Sequence, residues 1–253
     1  MEQFIRFEYS GKPAFGQADG ERVAVLDGPF WDNGRPTGQT LDIKQVKLLC
    51  PVAPSKIILV GLNYHMHVQH SQSATQAPEN PIIFLKPPSS LLGPGGRIVY
   101  PDGADRVDYE AELAVVLGRK GHKIPEDRAN EYIFGYTCLN DVTARHIQKA
   151  DGQWTRGKGF DTFCPVGPHV VRGIDASDLA VEAYLNDRRK QHGRTSDMIF
   201  SIPYLIHFIS SVMTLEAGDV ISTGTPEGID PMQKGDTIEV RIDQIGSLVN
   251  TVV

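Results

Sequence analysis

The stretch that most constrains the fold is residues 107–118, VDYEAELAVVLG, because its downstream half is apolar on both faces of a strand. A strand of this kind lies inside a sheet that is covered on both sides. Glu110 and Glu112 project from one face, roughly 7 Å apart, where the surroundings disfavour free carboxylates. Two interpretations are open. The acids are solvated or salt-bridged at the exposed end of the strand, or they bind a hard divalent cation.

Composition and charge exclude several classes of protein. A net charge of -6 over 253 residues argues against nucleic acid or an anionic membrane as the partner, since both select for basic patches. The chain has no run of 18 apolar residues and does not begin with the layout of a signal peptide, so we expect a cytoplasmic protein. Its three cysteines are far apart, which indicates neither a disulfide framework nor a thiolate zinc site.

The pattern along the chain predicts a mixed α+β fold dominated by β structure. Short alternating segments over residues 4–26 predict a small antiparallel β unit. Pro51 and Pro54 favour an extended crossing after it, so we expect a small N-terminal domain over residues 1–50 and a larger catalytic domain over residues 51–253. The last third alternates as strands around one helix over residues 201–212, with Ser201 as its cap.

Three histidines follow a predicted strand over residues 56–62. They are His65, His67 and His70, but only the last two share a helical face, and no cysteine or further histidine is spaced to complete a zinc site. A catalytic role for one of them is the stronger hypothesis. The polar residues 71–80 then predict a cover over whatever the strand end presents.

A predicted helix over residues 140–148 supplies a third acid. It places Asp141, Arg145 and Gln148 on one face. Asp141 is either the N-cap of this helix or, if Asn140 is the cap, free to join Glu110 and Glu112 around a cation. Three carboxylates around a divalent ion leave a charge of -1, so an anionic substrate needs further cations. Arg145 and Lys158 can supply them.

Two other residues have competing interpretations. Lys86 ends an apolar strand, so its amine either reaches water along the surface or belongs to the active site. His207 lies in the predicted helix over residues 201–212, where a packing role is more typical than a ligand role.

Several segments together resemble the fumarylacetoacetate hydrolase superfamily in its short bacterial form. The resemblance covers roughly residues 48–253. It is carried, in family order, by VGLNY at 60–64 with His67, FLKP at 84–87, VDYEAELAVV at 107–116, GY at 135–136, NDVTAR at 140–145 with Gln148, Lys158 with FDTFCPVGP at 160–168, and GDVI at 218–221 with TGTP at 223–226.

The resemblance implies a β-roll of mixed sheets, usually as a homodimer, that acts on a small 2-oxo acid. It assigns Glu110, Glu112 and Asp141 to Mg²⁺ or Mn²⁺. It places Arg145, Gln148, Lys158 and Thr225 around the substrate and makes His67 the base on a lid. The expected reaction is hydrolysis of a C–C bond in an acylpyruvate-like or fumarylacetoacetate-like 2,4-dioxo acid through a metal-stabilised enolate, which Lys158 reinforces.

One residue departs from the hydrolytic pattern. Hydrolytic members of the family have Glu three residues after the lid histidine, whereas this chain has His70. A protonated His70 would weaken His67 as a base. Two alternatives therefore stay open. The first is a decarboxylase or isomerase of 2-oxo diacids in aromatic catabolism, such as a 2-hydroxyhepta-2,4-diene-1,7-dioate isomerase. The second is a non-catalytic member that binds a metal or an acid.

Overall fold

The computed structural model describes residues 1–65 and 77–253, so the predicted base His67 and its neighbour His70 lie outside the described residues. Most described strands belong to one mixed sheet of twelve, in the order β4-β3-β2-β1-β14-β12-β11-β17-β6-β7, with β5 beside β1 and β8 beside β14. Their bounds are β1 Glu2–Tyr9, β2 Lys12–Asp19, β3 Arg22–Leu26, β4 Pro36–Asp42, β5 Lys47–Leu48, β6 Ile57–Gly61, β7 Ile82–Lys86, β8 Leu91–Leu92, β11 Ala111–Leu117, β12 Ile133–Asn140, β14 Cys164–Arg172 and β17 Val220–Ser222.

Two smaller sheets and short helices complete the described fold. A five-stranded sheet has the order β16-β15-β19-β20-β9, and a three-stranded sheet has the order β13-β10-β18. Their strands are β9 Arg97–Ile98, β10 Val107–Asp108, β13 Thr143–Ala144, β15 Ala180–Leu185, β16 Arg188–Arg194, β18 Pro231–Met232, β19 Thr237–Ile242 and β20 Gly246–Val252. The helices are α1 Arg145–Asp151, α2 Thr155–Lys158 and α3 Ile202–Val212, with 3-10 turns at Phe30–Asp32, Ile43–Gln45, Pro88–Ser90, Glu126–Tyr132 and Thr195–Asp197. The mixed, β-dominated architecture predicted from the sequence is confirmed.

Strand β11 is buried along its whole length and divides the core. Leu113, Val115 and Leu117 pack into the cluster that includes the five-stranded sheet. Ala114 and Val116 point the other way, into a second cluster that includes residues of the N-terminal strands. Both faces of the strand are therefore covered, as its apolar pattern predicts.

The acidic stretch is not one continuous strand. Residues 107–108 form β10, which pairs with β13 and β18, whereas residues 111–117 form β11, which pairs with β12 and β17. The chain changes sheets at Tyr109 and Glu110, and the prediction of an uninterrupted strand was wrong there. The break lies between Asp108 and Glu112, and the two carboxylates have different partners. Asp108 contacts arginines, whereas Glu112 accepts hydrogen bonds from the loop that begins at the end of β17.

The helix predicted from residue 140 begins later. Asn140 ends β12, and Thr143 and Ala144 pair with β10, so α1 starts at Arg145 with Ala144 as an uncapped N-terminus. Asn140 instead accepts a hydrogen bond from the Glu110 backbone N–H at its Oδ1, at 2.9 Å. Neither Asn140 nor Asp141 caps a helix, and both are held in the sheet region.

The N-terminal strands and helix α3 match the sequence-based predictions. Strands β1 to β3 form the expected antiparallel unit, and β1 also pairs with β14, so the large sheet continues through it. Helix α3 begins after Ser201, whose side chain accepts a hydrogen bond from the Tyr204 N–H. His207 in this helix contacts the Ile124 carbonyl through Nδ1 at 2.7 Å, in keeping with a packing role. No helix within the described ranges is long and apolar enough to span a membrane.

Candidate active site

Three acids that are distant in sequence converge in the fold. One carboxylate oxygen from each of Glu110, Glu112 and Asp141 lies within 4.8 Å of the others, and all three residues are buried. Glu110 occupies the break between β10 and β11, Glu112 is the second residue of β11, and Asp141 follows the end of β12. The antiparallel pairing of β11 with β12 brings the two strand ends together, and the Asp141 N–H donates to the Glu110 carbonyl at 2.9 Å.

Glu112 accepts hydrogen bonds but has no cationic partner among the residues that the structure describes. The Ser222 hydroxyl donates to its Oε2 at 2.5 Å and the Gly224 N–H donates to the same oxygen at 3.0 Å. Gly224 has φ +95°, and a Cβ there would lie 2.8 Å from the Asn63 Cβ, so only glycine fits this approach. Burial, with repulsion from Asp141 and Glu110, raises the pKa of Glu112 to about 8.

Lys158 bridges the other two acids. Its Nζ donates to Glu110 Oε2 at 3.1 Å, to the Thr143 hydroxyl at 2.9 Å and to Asp141 Oδ2. Burial alone would lower the pKa of this amine, but Asp141 and Glu110 outweigh that effect and hold the pKa above its usual value. Lys158 is therefore a charged hydrogen-bond donor near neutral pH.

Lys86 is part of the same centre. Its side chain is fully buried, so the interpretation in which the amine reaches water was wrong. The Nζ pairs with Asp141 Oδ1 at 2.5 Å and donates to the carbonyls of Val142 and Phe163, at 3.0 and 2.5 Å. Lys86 thus ties the end of β7 to the turn that carries Asp141.

Arg145 is anchored by two acids. Its Nε donates to Asp108 Oδ2 at 2.8 Å, an Nη1 hydrogen goes to Gln148 Oε1 at 2.7 Å, and Nη2 donates to Glu110 Oε1. Burial opposes the charge, but Glu110 and Asp108 raise the pKa of Arg145 above its ordinary value. Arg145 and Gln148 share one face of α1, three residues apart, as predicted, but Asp141 precedes the helix and the prediction that it shares this face was wrong.

Thr225 lies in the loop after β17. Its hydroxyl donates to the Ala111 carbonyl at 2.9 Å and accepts from the Gln191 side-chain amide at 2.8 Å. Gln191 also accepts from the Ala111 N–H at 2.9 Å. These bonds lock the β17 loop against the start of β11.

The acids and cations open onto one cavity of about 370 Å³. Every predicted site residue that the structure describes lines it. The lining is Val60, Gly61, Leu62, Phe84, Arg106, Glu110, Glu112, Asp141, Arg145, His146, Gln148, Lys149, Trp154, Lys158, Thr225, Glu227, Gly228 and Ile229.

Sequence reasoning missed Asp108, Arg106 and Gln191 as site residues. Asp108 offered a signal, because it shares the period-two face of Glu110 and Glu112. Arg106 and Gln191 offered none, since their positions depend on strand pairings far apart in the chain.

The donor set fits a divalent cation. Hard cations such as Mg²⁺ and Mn²⁺ prefer carboxylate oxygens, and three lie together here. Within residues 1–65 and 77–253 Glu112 forms no ion pair, although Glu110 and Asp141 do. A bound cation would supply the positive charge that Glu112 lacks and would oppose the burial and the repulsion that raise its pKa.

Family models match almost the whole chain. Residues 56–253 match the model described as fumarylacetoacetate (FAA) hydrolase C-terminal, and residues 3–51 match the model described as Rv2993c-like, N-terminal. An uncharacterized protein of Methanocaldococcus jannaschii is 47% identical over 92% of this chain and 95% of its own length. The oxaloacetate tautomerase YisK of Bacillus subtilis is 42% identical over 83% of this chain and 74% of its own.

Solved structures agree in fold. The 2-hydroxyhepta-2,4-diene-1,7-dioate isomerase from Mycobacterium marinum superposes with a TM-score of 0.92 at 40% identity, covering 100% of this chain and 98% of that one. The maleylpyruvate hydrolase from Sphingobium sp. SYK-6, solved with manganese(II) and pyruvate, gives a TM-score of 0.82 at 31% identity, covering 99% and 98%. Relatives with this fold thus include a tautomerase, an isomerase and a hydrolase.

Proposed function

The chain belongs to the fumarylacetoacetate hydrolase superfamily, and from this we propose that it is a divalent-metal-dependent tautomerase or double-bond isomerase of a 2-oxo dicarboxylic acid. The observation that carries the proposal is the cluster of Glu110, Glu112 and Asp141, buried beside Lys158 and Arg145 in one cavity. Mg²⁺ or Mn²⁺ is the cation whose chemistry fits these ligands.

The chemistry follows from the charges. A divalent cation, when bound, would polarise the 2-oxo group and so ease transfer of a proton from the neighbouring carbon to a base, the role that the family resemblance gives to His67, and from the base to the enolate oxygen. Lys158 stays protonated and donates hydrogen bonds, so it stabilises developing negative charge on oxygen and does not act as a base. Arg145 and Gln148 orient the acid from α1, and Thr225 lines the same cavity.

Charge also favours an anionic substrate only after the metal has bound. The cavity lining carries four cationic side chains and four carboxylates, and Asp108 adds a negative charge behind Arg145. Lys86 beside Asp141 offsets Asp108, so with Glu112 ionised the charges cancel without a divalent ion, and with one the site becomes cationic. We therefore expect oxalate, a small dianion, to bind only to metal-loaded protein.

Tautomerisation and isomerisation fit this chain better than hydrolysis because they need no activated water. The tautomerase and isomerase relatives are also more similar in sequence, at 42% and 40% identity, than the maleylpyruvate hydrolase at 31%. Hydrolysis of a 2,4-dioxo acid is the second candidate, which the likeness to maleylpyruvate hydrolase favours. It would require His67 to deprotonate water, with His70 three residues further on.

The test compares three reactions on one preparation. Purified protein with Mg²⁺ or Mn²⁺ should accelerate the keto–enol interconversion of oxaloacetate, followed by the absorbance of the enol, or the isomerisation of 2-hydroxyhepta-2,4-diene-1,7-dioate. A chelator should abolish the acceleration and added metal should restore it. Faster release of pyruvate from maleylpyruvate than either isomerisation would favour the hydrolase, and activity that survives full chelation would remove the metal from the proposal.

A further inference from the structure

Asp108 holds two arginines side by side at the cavity. The residue is fully buried at the end of β10, and its two oxygens have different partners. Oδ1 accepts from Arg106 Nε at 2.7 Å and Oδ2 accepts from Arg145 Nε at 2.8 Å. The Arg145 backbone N–H also donates to the Arg106 carbonyl at 2.9 Å. These contacts fix the two side chains relative to each other.

The two guanidinium groups differ in how many of their N–H donors are already used within the described protein. Arg145 is turned inward and already donates to Asp108, Glu110 and Gln148. Arg106 lines the same cavity with 46% of its side chain exposed. Across the described ranges its two Nη groups have no hydrogen-bond partner, because only Nε contacts Asp108. The free end of this guanidinium is the edge that binds a carboxylate with two hydrogen bonds.

The spacing suits a substrate with two acid groups. Because both Nε atoms contact one carboxylate, they lie no more than about 8 Å apart. The terminal carbons of a four-carbon diacid are about 4 Å apart, and those of longer diacids are a few ångströms further apart. A 2-oxo acid group beside Arg145 and the three acids would therefore leave a distal carboxylate within reach of Arg106.

We propose that Arg106 is the specificity-determining residue that binds the distal carboxylate of the substrate, and that Asp108 is the positioning residue that orients Arg106 together with Arg145. The inference rests on the proposed function, because it takes the 2-oxo acid end to lie at Glu110, Glu112 and Asp141. Since Arg106 acts on the far end of the substrate, its loss should change the choice of substrate more than the chemistry.

The test measures binding of matched acids to Mg²⁺-loaded protein by calorimetry. Oxaloacetate is compared with 2-oxobutyrate, and 2-oxoglutarate with 2-oxovalerate, so that each pair differs only in the distal carboxylate. Arg106→Gln should weaken the tighter-binding diacid about 10- to 100-fold, as expected for a lost charge-assisted pair, and leave its monoacid partner and oxalate within about twofold. Arg106→Lys keeps the charge but loses the paired N–H donors of the guanidinium group. Its affinity for the diacid should lie between those of Arg106→Gln and the wild type.

Two further variants separate this role from general effects. Arg156→Gln removes an exposed arginine that pairs with Asp151 outside the cavity, and should leave every affinity unchanged. Asp108→Asn should weaken the binding of oxalate as well as of the diacids, because Arg145 also loses its charged partner at residue 108. Equal weakening of diacid and monoacid by Arg106→Gln, or no weakening of either, would overturn the inference while leaving the proposed function intact. Failure of wild-type protein to bind oxalate with Mg²⁺ would instead refute both.

Discussion

Lys86 shows how much of the site is decided by one side chain that the sequence leaves ambiguous. A lysine at the end of an apolar strand is normally expected to extend to water. Here Lys86 is enclosed between Asp141 and two backbone carbonyls, at the base of the acidic cluster. Buried carboxylates that lie close together need compensating cations, and Lys86 and Lys158 supply them here.

Replacing Lys86 tests this compensation. Lys86→Met should lower the free energy of unfolding by about 3–5 kcal/mol, because Asp141 would keep its burial but lose a buried partner, and two carbonyls would lose a donor. Urea unfolding measures the change. The control Lys120→Met removes an exposed pair with Glu216 and should cost less than about 1 kcal/mol. A loss for Lys86→Met no larger than the control would show that Asp141 is stabilised without it.

The role of a site residue was predictable where the residue belongs to a short sequence motif. Glu110 and Glu112 were expected on one face because of their spacing, the family resemblance added Asp141, and the structure places the three together. The partners of these acids were less accessible to sequence reasoning. Arg106 and Lys86 are ordinary cations in the sequence, and only strand pairing far along the chain decides that one faces the cavity and the other is enclosed.

Among helices and strands, local sequence signals predicted the structure correctly where no distant strand pairs with the same residues. Helix α3 begins after Ser201, since its cap and its Pro203 act within a single turn. The helix predicted from residue 140 starts five residues late because Thr143 and Ala144 pair with β10. The same pairing splits the acidic strand. Both errors therefore have one cause, a small sheet whose strands are only two residues long.

The close packing of α1 against α2 fixes the position of Lys158, and Gly157 makes that close packing possible. A Cβ on Gly157 would lie 2.7 Å from the Gln148 backbone nitrogen and 2.8 Å from its Cα. Gly157→Ala should therefore push the helices apart, shift Lys158 from Glu110 and Asp141, and weaken metal and oxalate binding about tenfold or more. Calorimetry with Mn²⁺ and then oxalate measures both effects.

Gly28→Ala is the matched control for this change. A Cβ on Gly28 meets nothing within 4 Å, so that variant should bind Mn²⁺ and oxalate like the wild type. Unchanged binding by Gly157→Ala with intact secondary structure would show that the two helices tolerate separation. The position of Lys158 would then not depend on close packing.

At the scale of the whole molecule, the site lies where several parts of the chain meet. The large sheet runs from the N-terminal strands through β14, β12 and β11 to β17, β6 and β7. Glu112 lies on β11 and Asp141 directly follows β12, in the middle of this sheet. Asp108 ends β10 of the three-stranded sheet, and Arg106 directly precedes that strand. Because these parts are assembled only in the folded chain, metal binding and folding should be coupled.

Glu112 sets the pH dependence of that coupling. Its pKa is raised to about 8 in the fold, first by burial and then by Asp141 and Glu110, whereas an unfolded glutamate titrates near 4.3. A raised folded pKa contributes stability that is fully present below the unfolded value and is lost as pH rises through about 8. Metal-free protein should therefore lose stability across this window, as measured by urea unfolding at pH 5, 7 and 9.

Metal should reverse this trend, because the ion binds the carboxylate form of Glu112. Apparent Mn²⁺ affinity should rise up to tenfold per pH unit below 8 and level off above it, and each ion should release close to one proton at pH 7 but few at pH 9. Calorimetry in buffers of different ionisation enthalpy counts these protons. Glu112→Gln resembles the protonated acid in shape and charge but does not titrate, so metal-free stability at pH 7 should rise above that of the wild type and lose its dependence on this group, while Mn²⁺ affinity falls about 100-fold or more. Proton release at pH 7 that Glu112→Gln leaves unaltered would assign the raised pKa to a different group. Loss of metal-free stability at pH 7 in that variant would mean that the carboxylate serves the fold as well as the cation.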